Sequence, residues 1–157
     1  MSEQDMASPE PSLPEVPPLG PLPRNDWVLQ TLVDFANEVG VESGVTLQVG
    51  GMLVSGTLIS IDKYLDEFGS LFEGGFANNH ELAAQLGKVI KDLRPARLPP
   101  DANGSPTGPP PQHIHLRNAQ FFFPGQRAFP AAQVLWRGRL SEVGGFFLGL
   151  LSDGESK

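Results

Sequence analysis

The sequence predicts an α+β domain, a small twisted antiparallel sheet of about five strands with two to three helices packed on it. Three observations carry this. Segments of alternating apolar and polar residues run into Gly-Gly pairs at 50–51 and 144–145. Three other segments place apolar residues at helical spacing. Two proline clusters separate the folded part from its surroundings: of 16 Pro, seven lie in residues 1–23 and seven in 95–111. These tracts lack apolar periodicity and bury too little surface to offset the entropy of ordering. Residues 1–23 therefore read as a disordered acidic Pro-rich tail. A single domain over 24–152 is interrupted by a disordered linker at 95–111, and 153–157 form a disordered end.

Residues 25–40 read as a helix. Asn25 or Asp26 caps it, Val28, Leu32, Phe35 and Val39 form its apolar stripe, and Gly40 stops it. Val45, Leu47 and Val49 alternate with Thr46 and Gln48 as a half-buried strand. Gly50-Gly51 then supplies a two-residue hairpin turn, and 52–60 return as a second strand. That strand is apolar on both sides and so reads as central; Gly56 within it marks a bulge or bend.

Residues 61–73 switch to helical spacing, with Ile61, Tyr64, Leu65, Phe68, Leu71 and Phe72 on one stripe and Gly74-Gly75 as the stop. Asn78 and Glu81 read as a capping box for a third helix striped by Leu82, Leu86, Val89, Ile90 and Leu93. After the linker, 113–123 is rich in strand formers and Pro124-Gly125 breaks it. Residues 134–151 then read as a second hairpin turning at Gly144-Gly145. Its return strand, 146–151, is apolar on both faces. The helices are expected on one face of the sheet.

Composition limits the function classes. The net charge is −7, and the first 23 residues hold four acids and no base, which argues against a counterion-releasing nucleic-acid binder. There is no Cys, so neither a disulfide frame nor thiol chemistry is available. The first residues do not form a secretory signal. No stretch reaches the run of about 18 apolar residues that spans a bilayer; 134–152 is interrupted by Arg137, Arg139 and Glu142.

His113 and His115 have the only metal-like spacing, since residues two apart on a strand face one side. With His80 as the only other His, an ordinary sheet surface is the favoured reading, and no metal or cofactor is expected. No nucleophile–base set and no phosphate-cradling loop is visible, so the chain is not expected to be an enzyme. The candidates for a partner interface are Trp136, Arg137, Arg139, Phe146, Phe147, Leu148, Phe121 and Phe122. Arginine and aromatic side chains are favoured at interfaces, and a strand apolar on both faces needs a cover on each.

Three motifs carry a family resemblance: Ser55–Ser60 (SGTLIS), Ile114–Asn118 (IHLRN), and Trp136–Asp153, with Trp-Arg-Gly followed by Gly-Phe-Phe-Leu-Gly. With these the sequence resembles the gas vesicle accessory protein U family. The resemblance covers roughly 25–75 and 112–153. It implies a non-enzymatic, cytoplasmic protein associated with gas vesicles, the gas-filled protein shells that give cells buoyancy. Its implied partners are the vesicle shell or other gas vesicle proteins and further copies of itself, and its implied role is vesicle clustering or assembly. No nucleic acid and no membrane is expected as a partner. A weaker similarity links residues 45–68, "VTLQVGGMLVSGTLISIDKYLDEF", to Sm-like small barrels, which bind RNA. The alternative is therefore a partial, Sm-like barrel acting as a nucleic-acid-binding module, against which the acidic balance counts.

Overall fold

The computed structural model describes residues 25–152 except 76, 77, 97, 105 and 106. The expected disordered tail and C-terminal end lie outside the described residues. The described residues form α1 (Trp27–Val39), β1 (Ser43–Val49), β2 (Met52–Leu58), α2 (Ile61–Gly75), α3 (His80–Asp92), β3 (His113–Phe122), β4 (Phe129–Arg139) and β5 (Val143–Leu148). The described part of 95–111 holds turns and bends but no helix or strand.

All five strands join one antiparallel sheet in the order β4-β3-β2-β1-β5, as the α+β expectation requires. The central place expected for β2 is met. The sheet stays open: β4 and β5 are its two edges, and no ladder closes it into a barrel among the described residues.

That topology corrects the second expected hairpin. β4 pairs with β3, while β5 pairs with β1 on the far edge. The chain turns between them at a single 3-10 turn, Leu140–Glu142, anchored by buried Leu140, whose N–H donates to the Gln112 carbonyl at 3.0 Å. Gly144 and Gly145 lie inside β5 and form no turn. The first hairpin is as expected, with Val49 opposite Met52. Gly50 takes φ 60° in its turn, a conformation that costs glycine little.

Helices cover both faces of the sheet, not one. On the first face Val45, Leu47, Val54, Leu58, Ile114, Leu116 and Ala119 pack with Leu29, Val33 and Ala36 of α1. Each large aliphatic side chain buried there stabilises the fold by roughly 2 kcal/mol. On the second face Ile59 meets Tyr64 and Leu65 of α2, with Leu135 of β4 alongside.

The stripe of α1 is therefore rotated from the expected one. Its apolar face is wider than one stripe; it buries Leu29, Val33 and Ala36 and leaves Phe35 and Val39 exposed. Its ends are as read. The Asp26 carboxylate accepts from the Val28 and Leu29 N–H groups at 2.8 and 3.1 Å, and Gly40 closes the helix at φ 75°.

The cap of α3 is Asn79, one residue later than expected, accepting from the Leu82 N–H at 3.0 Å. Its buried positions are Ala83 and Gly87, while Leu82, Val89 and Leu93 of the expected stripe are exposed. The cause is a close helix crossing. A Cβ on Gly69 of α2 would stand 2.7 Å from the Gly87 carbonyl oxygen, and one on Gly87 would stand 2.8 Å from that of Gly69. Only glycine permits that approach. The expected irregularity at Gly56 is also present. The β2–β3 register shifts between Ser55 and Thr57, and Asn118 opposite takes φ 54°.

Candidate functional site

The candidate residues fall on the two edge strands and the end of β3. In β4, alternation sends Val134 and Trp136 to the core of the first face and Leu135 to the α2 side. The Trp136 indole lies across Gly138: a Cβ there would stand 2.1 Å from the ring. The Trp-x-Gly spacing is thus a packing device. The ring needs bare backbone beneath it, and the strand it pins presents Arg137 and Arg139 to the opposite face.

On that face the β3–β4 register places His113 opposite Arg139 and His115 opposite Arg137. Both arginines are exposed. His115 is almost fully buried, and its ring lies 4.7 Å from that of Tyr64. Burial, helped by Arg137 and His113, lowers its pKa to about 3. The ring is therefore neutral at physiological pH. Its Nε2 accepts from the Arg137 Nε–H at 3.3 Å, so the ring proton sits on Nδ1, which has no hydrogen-bond partner among the described residues. Burial, then Arg137 and Arg139, also lower the pKa of His113. Among the described residues no three His, Asp or Glu side chains converge as metal ligands. The pair His113/His115 meets two guanidinium groups instead.

The other edge is apolar. Phe146 lies opposite Leu47 and packs on the core, whereas Phe147 lies opposite Thr46 on the second face and stays 46% exposed. Leu148 is 62% exposed at the strand end. Beyond it the chain crosses the second face and is tied down there. The Gly149 N–H donates to the Gly44 carbonyl at 2.9 Å, the Thr46 hydroxyl to the Gly149 carbonyl at 2.9 Å, and the Leu151 N–H to the Ser55 hydroxyl oxygen at 2.8 Å. The Leu150 side chain rests over Gly44.

The end of β3 divides in the same way. Phe121 packs on the core. Phe122 lies opposite Leu53 on the second face and, with Gln48, Met52, Phe123 and Pro124, lines a cleft of about 280 Å³. The structure thus assigns Trp136, Phe121 and Phe146 to the core side. Phe122, Phe147, Arg137 and Arg139 share the second face, the two arginines at the opposite end of β3 from Phe122, while Leu148, opposite Val45, lies at the exposed end of β5 on the first-face side. Sequence reasoning passed over Leu53, which alternation with core-facing Val54 marks, and the exposed flank of α1, where Trp27 is 74% and Phe35 53% exposed. Nothing in the local sequence signals that His115 orients Arg137, because that contact depends on the β3–β4 register.

No helix among the described residues is long and apolar enough to cross a membrane. A family model described as gas vesicle protein GvpU-like matches residues 26–151. No curated protein and no solved structure matches the chain.

Proposed function

The chain belongs to the GvpU-like family of gas vesicle proteins, and from that membership we propose that it is a non-enzymatic accessory protein that joins gas vesicles to one another through contacts with the vesicle surface and with further copies of itself. The observation that carries this reading is the uncovered apolar part of the second sheet face. α2 covers the half that holds His115 and Leu135, but Phe122 and Phe147 remain accessible beyond it. Rigid aromatic side chains on a sheet surface supply contact area at small entropic cost, as partner-binding patches require. Arg137 and Arg139 supply the polar part of the same face.

The tail adds a long-range charge effect. Four of the 18 acids lie in residues 1–23, which hold none of the 11 bases, so that segment contributes −4 of the net −7. Like charge on every copy opposes close approach and is screened by salt. Clustering is therefore expected to rise between about 0.01 and 0.15 M ionic strength, where the screening length falls from about 30 to about 8 Å. The test is to pellet purified vesicles with the full chain over that range. Co-sedimentation that strengthens with salt is the expected result; a chain that stays in the supernatant at every ionic strength refutes vesicle binding.

A further inference from the structure

We propose that Arg137 and Arg139 form a two-pronged clamp for an acidic peptide segment carrying carboxylates two residues apart. The inference deepens the association surface proposed above by naming the chemistry of one of its contacts.

Four of the described basic side chains are committed to acids of the fold. Arg117 bridges Glu42 and Glu67, Lys91 pairs with Glu73, Lys63 with Glu42 and Arg94 with Asp66. Arg137 and Arg139, like Lys88 and Arg127, are in no ion pair among the described residues, and they alone of these four stand side by side on one strand face. They stand two positions apart on one strand, so their stems are separated by about 6.6 Å along it. An extended peptide with acids at i and i+2 repeats the same spacing.

The geometry also pre-orients one prong. Nε of Arg137 is held by the buried ring of His115 at 3.3 Å, and that ring is held in turn against Tyr64. With Nε engaged, both Nη groups of Arg137 remain for a bidentate contact with a carboxylate, the geometry in which guanidinium exceeds ammonium. Trp136, seated over Gly138 on the opposite face, fixes the strand that carries both prongs. A carboxylate peptide is favoured over a nucleic acid because the net charge of −7 repels a long polyanion, while two local arginines suffice for two carboxylates.

The test uses the full chain, followed by the NMR signals of the arginine Nε–H groups. Two peptides are titrated, acetyl-Gly-Asp-Gly-Asp-Gly-amide and its isomer with adjacent aspartates, with oligouridylate as a third probe. The expected result is a saturable shift of Arg137 and Arg139 together by the spaced peptide, and binding about tenfold weaker for the isomer, the loss of one charge-assisted contact. Arg139→Lys keeps the charge and is expected to weaken the spaced peptide selectively. His115→Phe leaves the charge unchanged and is expected to weaken it by releasing the Arg137 prong, with the amide spectrum reporting that the fold persists. Equal binding of the two isomers, a stronger response to oligouridylate, or no shift at millimolar peptide each overturns the proposal. Vesicle pelleting is independent of all three, so failure of the clamp and failure of the proposed function are separable.

Discussion

The two edges of the sheet are built from one continuous stretch, residues 129–148, yet they solve the edge problem in different ways. β4 carries charge on its outward positions, Arg137 and Arg139, and uses its inward positions to grip the core through Val134 and Trp136. Charge on an edge strand discourages uncontrolled pairing with other chains. β5 carries no charge, is six residues long, and exposes Phe147 and Leu148. The lesson is a division of labour. β4 is tied to the fold by a shape constraint and, in the proposed function, would select partners by charge, while β5 would offer apolar contact and is kept safe by its shortness and by the covered face behind Phe146.

The glycines of the two edges test that contrast most strongly. Gly138→Ala puts a Cβ 2.1 Å from the Trp136 ring and is expected to cost about 3 kcal/mol in urea unfolding, as overpacking does. In β5, a Cβ on Gly145 meets only the Gln48 Oε1 at 3.5 Å, an ordinary contact, so Gly145→Ala should change stability by less than about 0.5 kcal/mol. Equal costs would contradict the assignment of β4 as the shape-constrained edge.

The acid sensitivity of the β4 side sharpens the same contrast. The folded pKa of His115, about 3, lies below its ordinary 6.5, so between these values the unfolded chain binds the proton that the fold excludes. Stability is full above pH 6.5 and falls as pH drops toward 3, with a slope from this group approaching about 1.4 kcal/mol per pH unit. Subtracting the profile of His115→Phe from that of the wild type should isolate this slope; matching profiles would show that His115 titrates normally.

The adjacent phenylalanines of β5 give smaller effects of opposite kind. Phe146→Ala is expected to destabilise by about 2 kcal/mol, since the ring is half-buried against the core. Phe147→Ser should alter stability by less than about 0.5 kcal/mol while weakening association. Thermal melts and pelleting of the same two variants would show the roles reversed if β5 faced the other way.

Much of this arrangement is legible in the sequence, and the failures share a cause. Caps and turns depend on neighbouring residues, so Asp26, Gly40 and Gly50 could be read directly. The 143–148 strand pairs with residues about a hundred positions earlier, and no local pattern reports such a partner. Its Gly-Gly imitates the turn at 50–51, while its real setting is beneath the Gln48 side chain. α1 fails differently: apolar residues at 28, 29, 32, 33, 35, 36 and 39 offer two stripes, and only the shape of the sheet chooses between them. Of the candidate interface, residue types were legible but faces were not. Phe146 and Phe147 are identical in chemistry and differ by one step of alternation, whose phase is set by the pairing with β1.

The most direct test of the central claim is co-sedimentation with purified gas vesicles, comparing the wild-type chain with Phe147→Ser after both are shown to share one melting curve. The account predicts that the wild type pellets with the vesicles and that Phe147→Ser remains largely in the supernatant. Equal pelleting of the two would contradict a vesicle contact through the exposed face of β5.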